Sequence, residues 1–247
     1  ARDGTGREER MNVLIVHAHH EPQSFCAAMK DAAVATLLAE GHEVAVSDLH
    51  AMGWKAVADA ADFERRSNPD YLVYALEQRE GYKAGTLAPD IQAELEKLQR
   101  ADLVIFNFPL YWYSMPAIMK GWIDRVLVSG LCYGGMRFYD RGGLKGKRAM
   151  LAVTLGGQPH MFSRAGVHGE LNGLLSHVLR GTLGYVGFTV LPPFYAYHVP
   201  YIAAEARQAY LDQYRDRLQH LDRLPPLQFP SMDDFDDQLH PLYMLEC

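Results

Sequence analysis

The chain has 247 residues, 49% of them hydrophobic and 22% charged, an ordinary composition for one large α/β core. Its 24 Lys and Arg against 30 Asp and Glu leave a formal net charge of −6, so no global attraction draws it to nucleic acid or an anionic membrane. No apolar stretch approaches the roughly 20 residues of a bilayer span, and Cys26, Cys132 and Cys247 show neither metal-ligand spacing nor a C-x-x-C pair, which fits a reducing, cytoplasmic compartment.

Residues 1–10, "ARDGTGREER", are polar, precede Met11 and lack the apolar centre of a signal peptide; a disordered leader or expression remnant is expected there. "NVLIVHA" (12–18) is too continuously aliphatic for a one-sided strand and suits the buried centre of a parallel sheet. "SFCAAMKDAAVATLLAEG" follows as a helix, with Gly41 placed to cap its end. "HEVAVSDL" (42–49) predicts a second strand, and a long irregular stretch leads to a helix over "APDIQAELEKLQRA" (88–101), with Pro89 in its first turn. Then come the strand "DLVIFNFP", a helix from about Met115 to Leu127, the strand "RAMLAVTL" (148–155), a helix near 168–180, the strand "GFTVLPP" (187–193) and a polar helix from about Ala203 to Leu221. This alternation predicts an α/β fold, an open parallel sheet with helices on both faces. One domain is expected over 11–222, with 223–247 an extension: either a solvated terminus or a strap packed on the body or a partner subunit.

Ligands of such sheets sit outside the carboxyl ends of the strands. Three segments leave those ends with unusual chemistry: "HAHHEPQSF" (17–25), "FPLYWYSMP" (108–116) and "TLGGQPHMFSRAGVH" (154–168). The first opens a helix at Ser24, where unpaired backbone N–H groups suit a phosphate; the plainer alternative makes Ser24 only an N-cap and His19 a polar loop residue. The second sets Tyr111, Trp112 and Tyr113 between Pro109 and Pro116, suiting a planar heteroaromatic ring, unless the rings are core or subunit contacts. In the third, Gly156 and Gly157 let backbone approach a ligand closely, or merely make a turn. No G-x-G-x-x-G follows the first strand, "GGLKGK" (142–147) lacks P-loop spacing, no G-x-S-x-G occurs, and no histidine or cysteine set suggests zinc.

The ordered motifs "HxxxxSF" (19–25), "SDLxAM" (47–52), "EGYKAGTLAPDI" (80–91), "ADLVIFNFPLYWYSMPAIMKGWIDRV" (101–126) and "GGQPHMFSRAGVHGE" (156–170) resemble the flavin-dependent NAD(P)H:quinone oxidoreductases of the DT-diaphorase type. The resemblance runs from about Asn12 to about Leu221. It implies a flavodoxin-like, open parallel five-stranded sheet and a homodimer with active sites at the subunit interface. It also implies FAD, with NADH or NADPH as hydride donor, a small-molecule quinone as acceptor, and ping-pong transfer through flavin N5. By the same resemblance, Pro109, Leu110, Tyr111, Trp112 and Tyr113 meet the flavin ring, as do Thr154, Leu155, Gly156 and Gly157. His19, Ser24, Phe25 and Cys26 surround the pyrophosphate, and Arg207 lies near the adenine half.

Two catalytic positions carry over, a histidine at His168 and a tyrosine whose place is taken by Phe162. Phenylalanine has no hydroxyl, so His168 acts alone through water or with help from His160; His168 is the stronger candidate. The acceptor pocket would comprise Trp112, Tyr113, Tyr133, Gly156, Gly157, His168 and Tyr185, with Tyr185 reaching into the partner's site and Gly135 standing where a second tyrosine is common. The histidines of one relative's metal site are unmatched, so no metal is expected. Two other roles fit the same fold: a cytosolic regulatory oxidoreductase subunit of a potassium-efflux system, and an azo- or nitroreductase.

Overall fold

A computed structural model describes residues 10–243. The expectation for the leader therefore falls, apart from Arg10, outside the described residues, and so does Cys247.

β1 (Asn12–His17), β3 (Leu103–Pro109) and β4 (Arg148–Thr154) are the continuous aliphatic runs of the sequence, and almost every residue in them is buried. Such strands are stable only when covered on both faces. Leu14, Val16, Val104 and Phe106 point to one side, into a core with Ile91, Leu95 and Leu98 of α3 (Pro89–Arg100) and Met119, Trp122 and Ile123 of α4 (Ala117–Val126). Val13, Ile15, Leu103 and Ile105 point to the other, against Met29, Ala33 and Leu37 of α1 (Phe25–Ala39) and Tyr214 and Leu218 of α7 (Ala204–Gln219). The period-2 alternation of a strand thus divides one apolar run between two cores.

All pairings are parallel, in the order β2-β1-β3-β4-β5, where β2 is Glu43–Asp48 and β5 is Thr189–Val190. This is the flavodoxin-like order, whose direction reverses between β1 and β3. The five expected strand positions are present, but the last is split. Pro192 and Pro193 have no N–H to give a ladder, so β5 stops after two residues and β6 (Phe194–Ala196) resumes pairing with β4 beyond them.

Two further expectations are corrected. The stretch between β2 and α3 is not wholly irregular: α2 (Tyr74–Ala84) lies within it. Its buried residues are Glu77, Gln78 and Gly81, so no apolar period announced it. The helix near 168–180 is broken into α5 (Leu171–Leu174), α6 (Ser176–Val178) and a wide turn at Leu179–Gly184. α1 behaves as expected at its start, where Ser24 Oγ accepts from Ala27 N–H at 3.1 Å, a cap that contributes about 1 kcal/mol. It ends at Glu40, and the left-handed Gly41 (φ 89°) turns the chain into β2.

A buried ion cluster fastens the segment before α2 to the helical layer. Asp62, fully buried, accepts from Arg125 Nε at 3.0 Å, Lys55 Nζ at 2.9 Å and Tyr74 Oη at 2.6 Å. Arg125 also reaches Asp90 Oδ2 at 2.7 Å and lies over the Trp54 ring at 4.5 Å. The C-terminal extension runs back over the sheet edge: Leu227 N–H donates to Val190 O at 2.8 Å, Ser231 Oγ meets Asp140, and Met232 is buried.

Candidate active site

The loops after β1, β3 and β4 leave the sheet where its strand order reverses, and they enclose one cavity of about 440 Å3. Its walls carry His19, Ser24, Phe25, Cys26, Pro109, Leu110, Tyr111, Thr154, Leu155, Gly156 and Arg207. All of these are among the expected site residues. Gln23, Val199 and Pro200 also line the cavity and were not expected; the segment after β6 carries no signal beyond its prolines.

Beneath the cavity lies a polar floor. His17 Nδ1–H donates to Asn107 Oδ1 at 2.6 Å, and the Cys26 thiol lies 3.5 Å from the same oxygen. Burial lowers the His17 pKa, against the opposing hydrogen bond to Asn107. Burial also pushes the Cys26 thiol up to about 12, although Thr154 pulls it the other way. Both groups are therefore neutral at ordinary pH. At the rim, Glu21 N–H donates to His19 Nδ1 at 3.0 Å, and the His19 ring stacks on His20 at 4.8 Å. Desolvation and then the neighbouring His20 hold His19 below its usual value.

The loop after β3 is tied down at Leu110, whose N–H donates to Thr154 O at 2.8 Å. Tyr111 and Ser114 then exchange backbone hydrogen bonds of 3.0 and 2.9 Å around a two-residue turn. Its central residues, Trp112 (φ 50°) and Tyr113 (φ 56°), are both left-handed, as in a type I′ turn, which normally takes Asn-Gly. Each such residue costs about 1–2 kcal/mol, and strain of this kind gathers at functional sites. Tyr111, Trp112 and Tyr113 are 45%, 96% and 39% exposed, which excludes a core role within this chain.

The strand after the β4 loop holds the glycine edge. Leu155 N–H donates to Ala196 O at 3.0 Å, His198 N–H to Gly157 O at 2.9 Å, and His198 Nδ1 meets Gly156 O at 2.8 Å. Gly157 is required by contact: a Cβ there would stand 2.5 Å from Phe162 Cε2. Phe162 lies 4.9 Å, ring to ring, from His168, whose Nδ1 is 2.9 Å from Tyr113 Oη. His177, which sequence analysis did not select, approaches Ser114 Oγ through Nε2 at 3.0 Å.

Tyr133 and Tyr185 stand elsewhere. Their rings meet at 5.7 Å in a second groove of about 410 Å3, beside α2 and α4. A single chain thus does not bring these two to the cavity wall, and Trp112, Tyr113, Gly157, Phe162 and His168 are likewise not among the residues that line it. Among the described residues no cluster of His, Cys, Asp and Glu is spaced to hold a metal, and no helix is long and apolar enough to cross a membrane.

A flavin suits this chemistry. Among the described residues the backbone N–H groups of Phe25, Cys26, Trp112, Tyr113, Gly156 and Gly157 have no protein acceptor. They are donors at a helix start and at two strand ends, beside exposed aromatic faces, as a phosphate and a flat heterocycle require.

The chain matches the flavodoxin-like fold family over residues 11–218. It is 44% identical over 216 residues to the ribosyldihydronicotinamide dehydrogenase [quinone] of Pongo abelii, covering 87% of this chain and 94% of that protein. To the NAD(P)H dehydrogenase [quinone] 1 of Rattus norvegicus it is 42% identical, covering 90% and 82%. A crystal structure from Klebsiella pneumoniae, provisionally assigned as a quinone reductase, superposes with a TM-score of 0.90 at 40% identity, covering 94% of each chain. The likeness to a glutathione-regulated potassium-efflux ancillary protein of Enterobacter, at 40% identity, spans only 52% of this chain.

Proposed function

This chain belongs to the flavodoxin-like NAD(P)H dehydrogenase (quinone) family, and on that premise we propose that it reduces quinones by two electrons at the expense of NADH or NADPH, using bound FAD. The observation that carries the reading is the meeting of three strand-end loops in one cavity, with unpaired main-chain donors and an exposed aromatic ledge at its rim. Bound FAD would supply the redox chemistry, two-electron hydride transfer at N5 between a nicotinamide donor and a quinone in a ping-pong cycle.

In this reading the chain's own part is binding and electrostatics. Main-chain N–H groups of Trp112, Tyr113, Gly156 and Gly157 hold the ring edges, while Ser24, Phe25, Cys26 and His19 face the pyrophosphate at the start of α1. Arg207 also lines the cavity, and a guanidinium there suits the adenine half of a dinucleotide; this favours FAD over FMN. Trp112 and Tyr113 flank the ring, and His168 offers a donor to an oxygen that gains negative charge.

The active unit is proposed to be a homodimer in the cytoplasm. α2 exposes Leu76, and Val73 just before it, beside the groove that holds Tyr133 and Tyr185; a second chain over this surface would bury them and bring Tyr185 to the partner's cavity. In this reading residues 11–222 are the catalytic domain, and the described part of the extension, 223–243, is its strap.

The test is the absorbance spectrum of purified protein, followed by heat release and chromatography of the cofactor. FAD is expected; FMN defeats the dinucleotide assignment, and a colourless protein that takes up no flavin defeats the whole reading. Turnover of a quinone panel against azo and nitro acceptors, with NADH, NADPH and ribosyldihydronicotinamide as donors, then fixes the substrates.

A further inference from the structure

Position 162 offers His168 an apolar ring and no hydroxyl, yet the imidazole is not left without one. Tyr113 Oη lies 2.9 Å from His168 Nδ1, and the two rings meet at 5.8 Å. We propose that Tyr113 is the positioning residue for His168: its O–H donates to Nδ1, holding the neutral imidazole as the Nε2–H tautomer, so that Nε2 is the donor presented to a ligand on the ledge. The proposal rests on the reading of this site as a redox active site.

Three observations support this direction. A phenol oxygen is a better donor than acceptor, and the tautomer of a histidine is set by the bond its other nitrogen makes. The His168 backbone is already fixed, its N–H donating to Met161 O at 3.0 Å, so ring orientation is the freedom that remains. Among the described residues Nε2 has no protein partner, and Phe162, packed under Gly157, supplies no competing polar atom.

The backbone argues the same way. Tyr113 reaches His168 only because it occupies the second left-handed position of the Trp112–Tyr113 turn, where glycine would be free of strain. An aromatic residue held there against backbone preference points to a use for its side chain.

The test uses the protein as purified, labelled with 15N-histidine, with His168 resonances assigned through His168→Gln. In the wild type, long-range 1H–15N spectra should show Nδ1 as an unprotonated acceptor and Nε2 as N–H. Tyr113→Phe keeps the ring and the turn but removes the hydroxyl. Both nitrogens should then move to averaged, mixed-tautomer values, and cofactor reduction by NADH should slow roughly threefold to tenfold, the span of one hydrogen bond's net contribution. Wild-type spectra with the proton on Nδ1, or a Tyr113→Phe spectrum equal to wild type, would each overturn the proposal. A preparation that turns over no quinone but shows the expected tautomers defeats the functional reading and leaves Tyr113 in this role.

Discussion

Gly156 and Gly157 are adjacent, yet an added methyl group should have opposite consequences at the two. At Gly157 a Cβ would stand 2.5 Å from Phe162 Cε2 and 3.1 Å from its Cζ. Carbon–carbon contact is comfortable from about 3.5 Å, so the ring edge must retreat by roughly 1 Å. Phe162 is buried and rests against His168 and Tyr197, so the retreat displaces neighbours. Overpacking of this kind costs about 1–3 kcal/mol, which for a chain of this length lowers Tm by roughly 2–12 °C. At Gly156 the nearest atom to a Cβ is Tyr201 Cε2 at 3.9 Å, an ordinary contact, and Tm should stay within about 2 °C of wild type.

Melting must be followed on cofactor-stripped protein, because a ligand that binds only the folded state raises Tm by mass action. Gly156 lines the cavity, so Gly156→Ala should weaken flavin rebinding while sparing the fold, whereas Gly157→Ala should lose stability first. Equal Tm losses in the two variants, or none at Gly157, would refute the assignment of Gly157 to the Phe162 contact and Gly156 to the ligand face.

Asp62→Asn leaves buried Arg125 with Asp90 as its remaining counter-charge, and should lower unfolding free energy by about 1–3 kcal/mol in guanidinium titrations; burial would raise the Asp62 pKa, but its bonds from Arg125, Tyr74 and Lys55 outweigh that and hold it low. His17 sits below its ordinary 6.5, chiefly through burial, so the folded state binds fewer protons than the unfolded one. Its stabilisation is complete above 6.5 and is lost as pH falls from there toward the folded value; His17→Gln should remove that part of the Tm-against-pH slope, and an unchanged slope counts against it. Burial pushes both Cys26 and Cys132 up to about 12, so a Cys247→Ser variant should leave native protein almost unreactive to Ellman's reagent at mildly alkaline pH, with both thiols reacting after unfolding.

The parallel sheet was legible because β1, β3 and β4 are runs of apolar residues that only a doubly covered sheet can bury. The cavity followed from that topology, since segments leaving the strand ends must converge. What the sequence hid has specific causes. α2 buries Glu77, Gln78 and Gly81, and a helix that buries polar atoms shows no apolar stripe. The Tyr113–His168 pair joins residues 55 apart, and nothing local marks a side chain for a partner at that range. Tyr133 and Tyr185 matched by motif, but on one chain they occupy their own groove, because a motif fixes residue types in order and not their distance from a cavity.

The Trp112–Tyr113 turn makes the strongest case that this surface is built for something outside the chain. Two left-handed aromatic residues together cost about 2–4 kcal/mol relative to glycine-compatible ones. The single chain recovers little: Trp112 is 96% exposed and buries almost nothing, and the Tyr113–His168 bond returns about 1 kcal/mol. Trp112→Asn with Tyr113→Gly is therefore expected to stabilise the cofactor-free monomeric fold by about 1–3 kcal/mol and to abolish quinone turnover, because the ledge is gone. Urea titration of the stripped protein beside turnover of the loaded one measures both. A double variant less stable than wild type would mean that the aromatic pair is held by the chain itself, and its strain would then say nothing about a ligand.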